Sequence, residues 1–142
     1  CLSKGLGAPV GSVLLGSDEF IKKARRVRKV FGGGMRQAGY IAAGGIYALT
    51  HNIERLADDH FHAKKIAQAL AEKDFVGNIF PVETNIIIAE IKGRYTTDSF
   101  VHKMQENNIL LFKISATQIR MVLHIDINSE MVNKTIKTIQ SL

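Results

Sequence analysis

Tryptophan is absent from this chain, cysteine occurs once and proline twice in 142 residues. A single thiol, Cys1, permits no intrachain disulfide and suits a reducing, cytoplasmic setting. Apolar runs are short: Ile86-Ile87-Ile88-Ala89 is strand-sized, against the roughly 20 residues that cross a bilayer. No charged segment leading into an apolar one opens the chain, so neither a membrane partner nor a secretory signal is expected. Internal repeats and low-complexity segments are missing as well. What remains, with 46% hydrophobic residues, is the composition of a soluble globular chain able to bury a core.

Acidic residues are also missing from one stretch. Lys22, Lys23, Arg25, Arg26, Arg28, Lys29 and Arg36 follow one another with no Asp or Glu between them. They account for the formal net charge of +6 and leave the rest of the chain near neutral. The excess belongs to one helix and its following loop, with no stacking aromatics interleaved, so no nucleic-acid partner is expected. Ser17 is a favoured N-cap for that helix, with Asp18 and Glu19 in the first turn, where the helix dipole favours negative charge. Phe20, Ala24, Val27 and Phe31 recur at helical spacing as an apolar stripe. The basic residues take the other faces, solvated or lying along a subunit boundary.

Gly32-Gly33-Gly34 ends the helix and must allow a close approach or an unusual turn. Arg36 follows, at the expected start of the next helix. Backbone amides at a helix N-terminus attract anions, and the guanidinium adds a planar fork suited to phosphate. A second isolated cation lies earlier, in Ser3-Lys4-Gly5-Leu6-Gly7-Ala8-Pro9-Val10-Gly11-Ser12, ahead of the strand-like Val13-Leu14-Leu15. Small, turn-forming neighbours keep bulky side chains away from Lys4, which is the clearance a lysine needs to bond covalently to a flat cofactor. Lys4 is the reactive group that the sequence singles out.

Residues 38–49 are rich in Ala and Gly and predict a closely packed, buried helix. A longer helix is expected over 52–73, with Ile53, Leu56, His60, Ala63, Ala67 and Leu70 on one face. Strands are expected at 84–91, 109–114 and 119–127, with a turn at 116–118 and helices over 97–107 and from about 128 onward. Together these make an α+β layer, a mainly antiparallel sheet covered on one side by helices. Asp59 and His62 fall on one helical face, but no further ligand cluster accompanies them and a solvated helix explains them equally well. His124 beside Asp126 reads as a polar pair. Alternation puts Arg120, Val122 and His124 on one face of the last strand and Met121, Leu123 and Ile125 on the other. An arginine in so apolar a strand is costly unless it meets an anion.

Three blocks, in order, carry a family resemblance. Residues 3–12 resemble the cofactor-lysine segment of threonine aldolases, enzymes of the aspartate-aminotransferase fold type. Arg28-Lys29-Val30-Phe31-Gly32-Gly33-Gly34-Met35-Arg36-Gln37-Ala38-Gly39 is similar to that family's glycine-rich segment, and Arg120-Met121-Val122-Leu123-His124-Ile125-Asp126 to its arginine-bearing C-terminal strand. The resemblance covers essentially the whole chain, with 51–117 matching in pattern rather than in motif.

The resemblance implies an α/β fold: the C-terminal portion of a fold-type-I enzyme dependent on pyridoxal 5′-phosphate. Residues 1–52 would end the cofactor-binding large domain, and 53–142 would form a linker helix and a small α+β domain with an antiparallel sheet. It further implies that Lys4 bonds to the cofactor, with Ser3 either on the cofactor phosphate or capping the turn. Arg36 would reach the phosphate of a neighbouring subunit, with Lys29 close to the same site, and Arg120 would receive the substrate carboxylate. The implied reaction is retro-aldol cleavage of L-threonine or L-allo-threonine to glycine and acetaldehyde, in a homo-oligomer, dimer or tetramer.

Because the chain opens at Cys1 without an initiator methionine, it is expected to be the C-terminal part of a longer enzyme. Alone it is expected to be inactive, for want of the N-terminal half of the site. Two other readings stay open. One is another fold-type-I lyase, β-eliminating or serine hydroxymethyltransferase-like, using the same lysine on a different bond. The other is a non-enzymatic α+β module whose basic helix binds an acidic partner.

Overall fold

The computed structural model describes residues 1–142 and divides them into two compact units, Cys1–Glu54 and Arg55–Leu142. No helix is long and apolar enough to cross a membrane.

The first unit is a looped segment followed by two helices, α1 (Asp18–Val30) and α2 (Gly39–His51). Ser17 caps α1 as the sequence predicts, its hydroxyl accepting from Phe20 N at 3.3 Å. The helix stops where Gly32 takes φ +81°, a left-handed conformation that glycine adopts without a Cβ penalty. Val13-Leu14-Leu15 is not a strand: no partner strand is present to pair with it, and its side chains are exposed. The apolar stripe of α1 is present but uncovered, and the helix buries no residue. The expectation of a buried α2 is met only on one side, where Gly45 and Ala48 are buried, whereas Tyr40, Ile46 and Tyr47 stand exposed.

The second unit holds the core. Its elements are α3 (Leu56–Ala71), β1 (Val76–Ile79), β2 (Ile86–Ile91), α4 (Thr97–Glu106), β3 (Phe112–Lys113), β4 (Gln118–Val122) and α5 (Ser129–Ser141). The four strands form one sheet in the order β1-β2-β4-β3, antiparallel throughout. Two-residue periodicity sorts the central strands cleanly. Ile87, Ala89, Ile91, Ile119 and Met121 are buried with Leu123, which follows β4, while Ile86, Arg120 and Val122 are exposed on the opposite face. Phe75, Phe100, Met104, Leu70, Val132 and Ile139 complete the core, supplied by the helices and the turn before β1. Phe75 and Phe100 meet with ring centroids 5.9 Å apart, and Tyr95 sits edge-on to both.

Caps fix the helix starts. Thr96 and Ser99 form a reciprocal capping box at α4, and Asn128 Oδ1 accepts from Met131 N at α5. Three expectations are corrected. β1 was not foreseen. The apolar run 109–114 yields only two ladder residues, Phe112 and Lys113, at the sheet edge. β4 ends at Val122 rather than at 127, where a turn closed by Ile127 N to His124 O takes over.

Phe100 has no exposed surface. Phe100→Ala is therefore expected to lower stability by about 3–5 kcal/mol in urea denaturation, the cost of a large unfilled cavity. A loss under about 1 kcal/mol would contradict this placement of the core.

Candidate active site

Lys4 begins a β-turn, its carbonyl accepting from Gly7 N at 2.8 Å. Two further backbone bonds, Ala8 N to Leu2 O at 3.0 Å and Leu2 N to Gly11 O at 2.9 Å, fold residues 2–11 into a closed loop. Gly7 (φ +71°) and Gly11 (φ +122°) occupy backbone conformations that other residues rarely adopt, which is why the run needs glycine at these places. The loop rests on α2 at its glycine pair: a Cβ on Gly44 would come within 3.0 Å of Pro9, and one on Gly45 within 3.0 Å of Leu2. Lys4 and Ser3 are exposed, and the Lys4 amine has no carboxylate partner. The Ser3 hydroxyl lies 3.3 Å from Cys1 Sγ.

The glycine-rich turn is shaped by the helix it terminates. Gly33 N donates to Arg28 O at 2.8 Å, and a Cβ on Gly33 would meet the Arg28 stem at 2.7 Å. A Cβ on Gly34 would lie 3.0 Å from Lys29 Nζ, so the lysine ammonium is folded against the same turn that carries Arg36. Arg36 itself lies in a turn three residues before α2, not in the first turn of the helix as expected, and Gln37 beside it takes φ +52°. Lys29 and Arg36 are exposed cations without acidic partners. An apolar cleft of about 450 Å³ runs between the loop and α2, with Arg28 and Met35 on its wall, but Lys4 and Arg36 do not line it.

In the second unit Arg120 stands on the open face of the sheet, in line with Ile88 of β2 and Phe112 of β3. Its guanidinium carbon lies 5.8 Å from the Phe112 ring centroid, an attraction between cation and π face that aims the fork without consuming its charge. No carboxylate pairs with it, and Glu90 on the same face accepts instead from Asn78 N at 3.2 Å. Phe112 was not identifiable as its partner in the sequence, since only the strand register brings the two together.

The other titratable pairs are occupied structurally. Asp59 is not solvated but fully buried, held by both terminal guanidinium nitrogens of Arg55, Nη2 at 2.7 Å and Nη1 at 3.2 Å. His62 turns away to Ser129, Nε2 to Oγ 3.2 Å. His124 Nδ1 and Asp126 Oδ2 are 3.3 Å apart, the polar pair expected. No group of three His, Cys, Asp or Glu side chains assembles that could hold a metal.

An amine without a counter-ion on a glycine-bearing loop, and two unpaired cations on a glycine-rich turn, fit an aldehyde cofactor bearing a phosphate. The beta-eliminating lyase family matches residues 1–93. The chain belongs to that family. It is 43% identical to low-specificity L-threonine aldolase 1 of Arabidopsis thaliana over 99% of its length, and 43% identical to the low specificity L-threonine aldolase of Escherichia coli over 92%. These alignments cover 40% and 38% of the relatives, so the chain spans about two fifths of their length. Among solved structures it is similar to ornithine aminotransferase of Plasmodium yoelii, with a TM-score of 0.55 at 15% identity over 71% of this chain and 28% of that one. It is similar also to ornithine aminotransferase of Toxoplasma gondii, with a TM-score of 0.54 at 19% identity over 71% of this chain and 26% of that one. The fold is that of fold-type-I pyridoxal 5′-phosphate enzymes, as the resemblance implied.

A double-mutant cycle on Arg120→Met and Phe112→Leu is expected to show a coupling of about 0.5–1 kcal/mol in stability, the range of an exposed cation–π pair. Strict additivity of the two substitutions would contradict the contact.

Proposed function

We propose that this chain is part of a pyridoxal-phosphate aldolase that cleaves L-threonine and L-allo-threonine to glycine and acetaldehyde. The observation that carries the reading is the unpaired Lys4 amine on its closed loop, in a chain 43% identical to threonine aldolases. Lys4 would hold the cofactor covalently through its amine, which has no carboxylate partner and so is available for that bond. Pyridoxal 5′-phosphate, when bound, supplies the electron sink that accepts the electron pair left on the substrate α-carbon as the Cα–Cβ bond breaks.

Arg36 and Lys29 bind the phosphate, Arg36 from a neighbouring subunit, which makes the active enzyme at least a dimer. Ser3 sits one residue from the anchor and hydrogen-bonds either the phosphate or its own turn. Arg120 receives the substrate carboxylate on its two-pronged guanidinium, and a carboxylate anchored in this way fixes the rotation about the substrate's Cα–N bond. That rotation selects which bond breaks. Residues 1–52 are the end of the cofactor-binding large domain, a reading supported by the many apolar side chains that the first unit leaves uncovered. Residues 53–142 are the small domain, supported by the self-sufficient core of the second unit. The enzyme acts in the cytoplasm, in keeping with a single unpaired thiol.

The full-length protein, given L-threonine or L-allo-threonine, is expected to release glycine and acetaldehyde in equal amounts. Lys4→Ala is expected to lower kcat by roughly a thousandfold or more and to abolish the visible absorbance of lysine-bound cofactor. Ammonia and a keto acid as the products would assign the chain to β-elimination instead, and unchanged absorbance in Lys4→Ala would remove Lys4 from the chemistry.

A further inference from the structure

The edge strand β3 is two residues long, and one of them is an exposed aromatic. Phe112 stands opposite Arg120 across the β3–β4 ladder and leaves 63% of its surface uncovered. Strand pairing does not call for a ring at this place, since a β-branched residue serves an edge strand equally well. The ring does have one partner of consequence. Its centroid lies 5.8 Å from the Arg120 guanidinium carbon, and no carboxylate competes for that guanidinium.

The ring is itself held in place. Lys113 Nζ, next to it, donates to Asp98 Oδ2 in the first turn of α4 at 2.6 Å. The turn from β3 to β4 is closed by Ile114 N to Gln118 O at 3.0 Å, and Ser115 Oγ accepts from Gln118 N at 3.0 Å. Thr97, buried at the start of α4, donates its hydroxyl to Ala116 O at 3.0 Å and so ties that turn to the helix. The exposed lysine–aspartate pair contributes little by itself, whereas parting the buried hydroxyl from its acceptor leaves a polar group unsatisfied. The hairpin is therefore a fixed platform, and Phe112 is its one aromatic residue.

We propose that Phe112 is a positioning residue for carboxylate recognition: its ring holds the Arg120 guanidinium in place over the open face of the sheet, so that less conformational freedom is lost when a substrate carboxylate binds. This rests on the reading of Arg120 as the carboxylate site. The chemistry of the pair suits the task. A ring attracts the cation through its π face and offers no strong acceptor, so the five N–H donors stay unspent. A glutamate at 112 would hold the fork more firmly but would also occupy it. With an aliphatic residue at 112 the donors would stay free, and the cost of ordering a long side chain would fall on affinity instead.

The test uses the full-length holoprotein and two ligands that differ by a carboxylate, glycine and methylamine, each titrated against the absorbance of the bound cofactor. Arg120→Met is expected to weaken glycine binding on the order of tenfold to a hundredfold, the loss of charge-assisted hydrogen bonds. Phe112→Leu is expected to weaken glycine binding roughly threefold to tenfold while methylamine stays within about 1.5-fold of wild type. Phe112→Tyr, which keeps the ring, is expected to bind glycine as wild type does. In the Arg120→Met background, Phe112→Leu is expected to add nothing, because the group it positions is gone. If Arg120→Met weakens glycine binding and Phe112→Leu does not, the positioning role is wrong and the reading of Arg120 stands. If Arg120→Met leaves glycine binding unchanged, that reading falls and the positioning role falls with it. Equal weakening of glycine and methylamine in Phe112→Leu, or the same weakening with Arg120 already removed, assigns Phe112 to the scaffold alone and also overturns the proposal.

Discussion

The antiparallel pairing of β2 with β4 is the constraint on which the second unit depends. Five consecutive register pairs, Ile86 with Val122 through Glu90 with Gln118, lock the two strands so that every side chain has an assigned face. A slip of β4 by one residue would expose Ile119 and Met121 and drive Arg120 among the helices. Burying an unpaired guanidinium there costs several kcal/mol or more. The same register therefore secures the core and keeps Arg120 on the open face. Its charge remains available for an external carboxylate, which is the property that the proposed chemistry uses.

The first unit works by a different principle. It has little core of its own: Ala8, Gly45 and Ala48 are buried, while α1 buries nothing. Its order comes from backbone bonds that close short loops and from glycines that let segments approach. Lys4 and Arg36 both sit in such segments, one closed by Leu2, Ala8 and Gly11, the other shaped by Gly32 and Gly33. A side chain on a loop needs support from a neighbouring element to hold its direction, and α2 supports the Lys4 loop through Gly44, Gly45 and Asn52.

Local signals explain what was legible in the sequence. Ser17 and Asn128 are side-chain caps that act within three residues, so the starts of α1 and α5 could be read directly. The alternation in β4 separated its two faces, with Arg120 and Val122 on one and Met121 and Leu123 on the other. β1 was illegible because Val76-Gly77-Asn78-Ile79 has weak strand propensity. It is held by pairing with β2 and by Lys92 N to Phe75 O, contacts distant in sequence. Val13-Leu14-Leu15 has strong strand propensity but no partner here, and propensity without a partner makes no strand. The buried Asp59 was misjudged although local signs pointed inward: it lies between Leu56 and Ala63 on the apolar face of α3, and Arg55 stands four residues before it to pair its carboxylate. Lys4, Arg36 and Arg120 stood out by their neighbours. Phe112 and Asn52 became visible only through register and tertiary contact.

Reduction of the full-length holoprotein with borohydride, followed by peptide mass mapping, tests the central claim most directly, because it fixes the cofactor to whichever amine holds it. The added mass is expected on the peptide bearing Lys4 alone. The same mass on another lysine, with Lys4 unmodified, would contradict it.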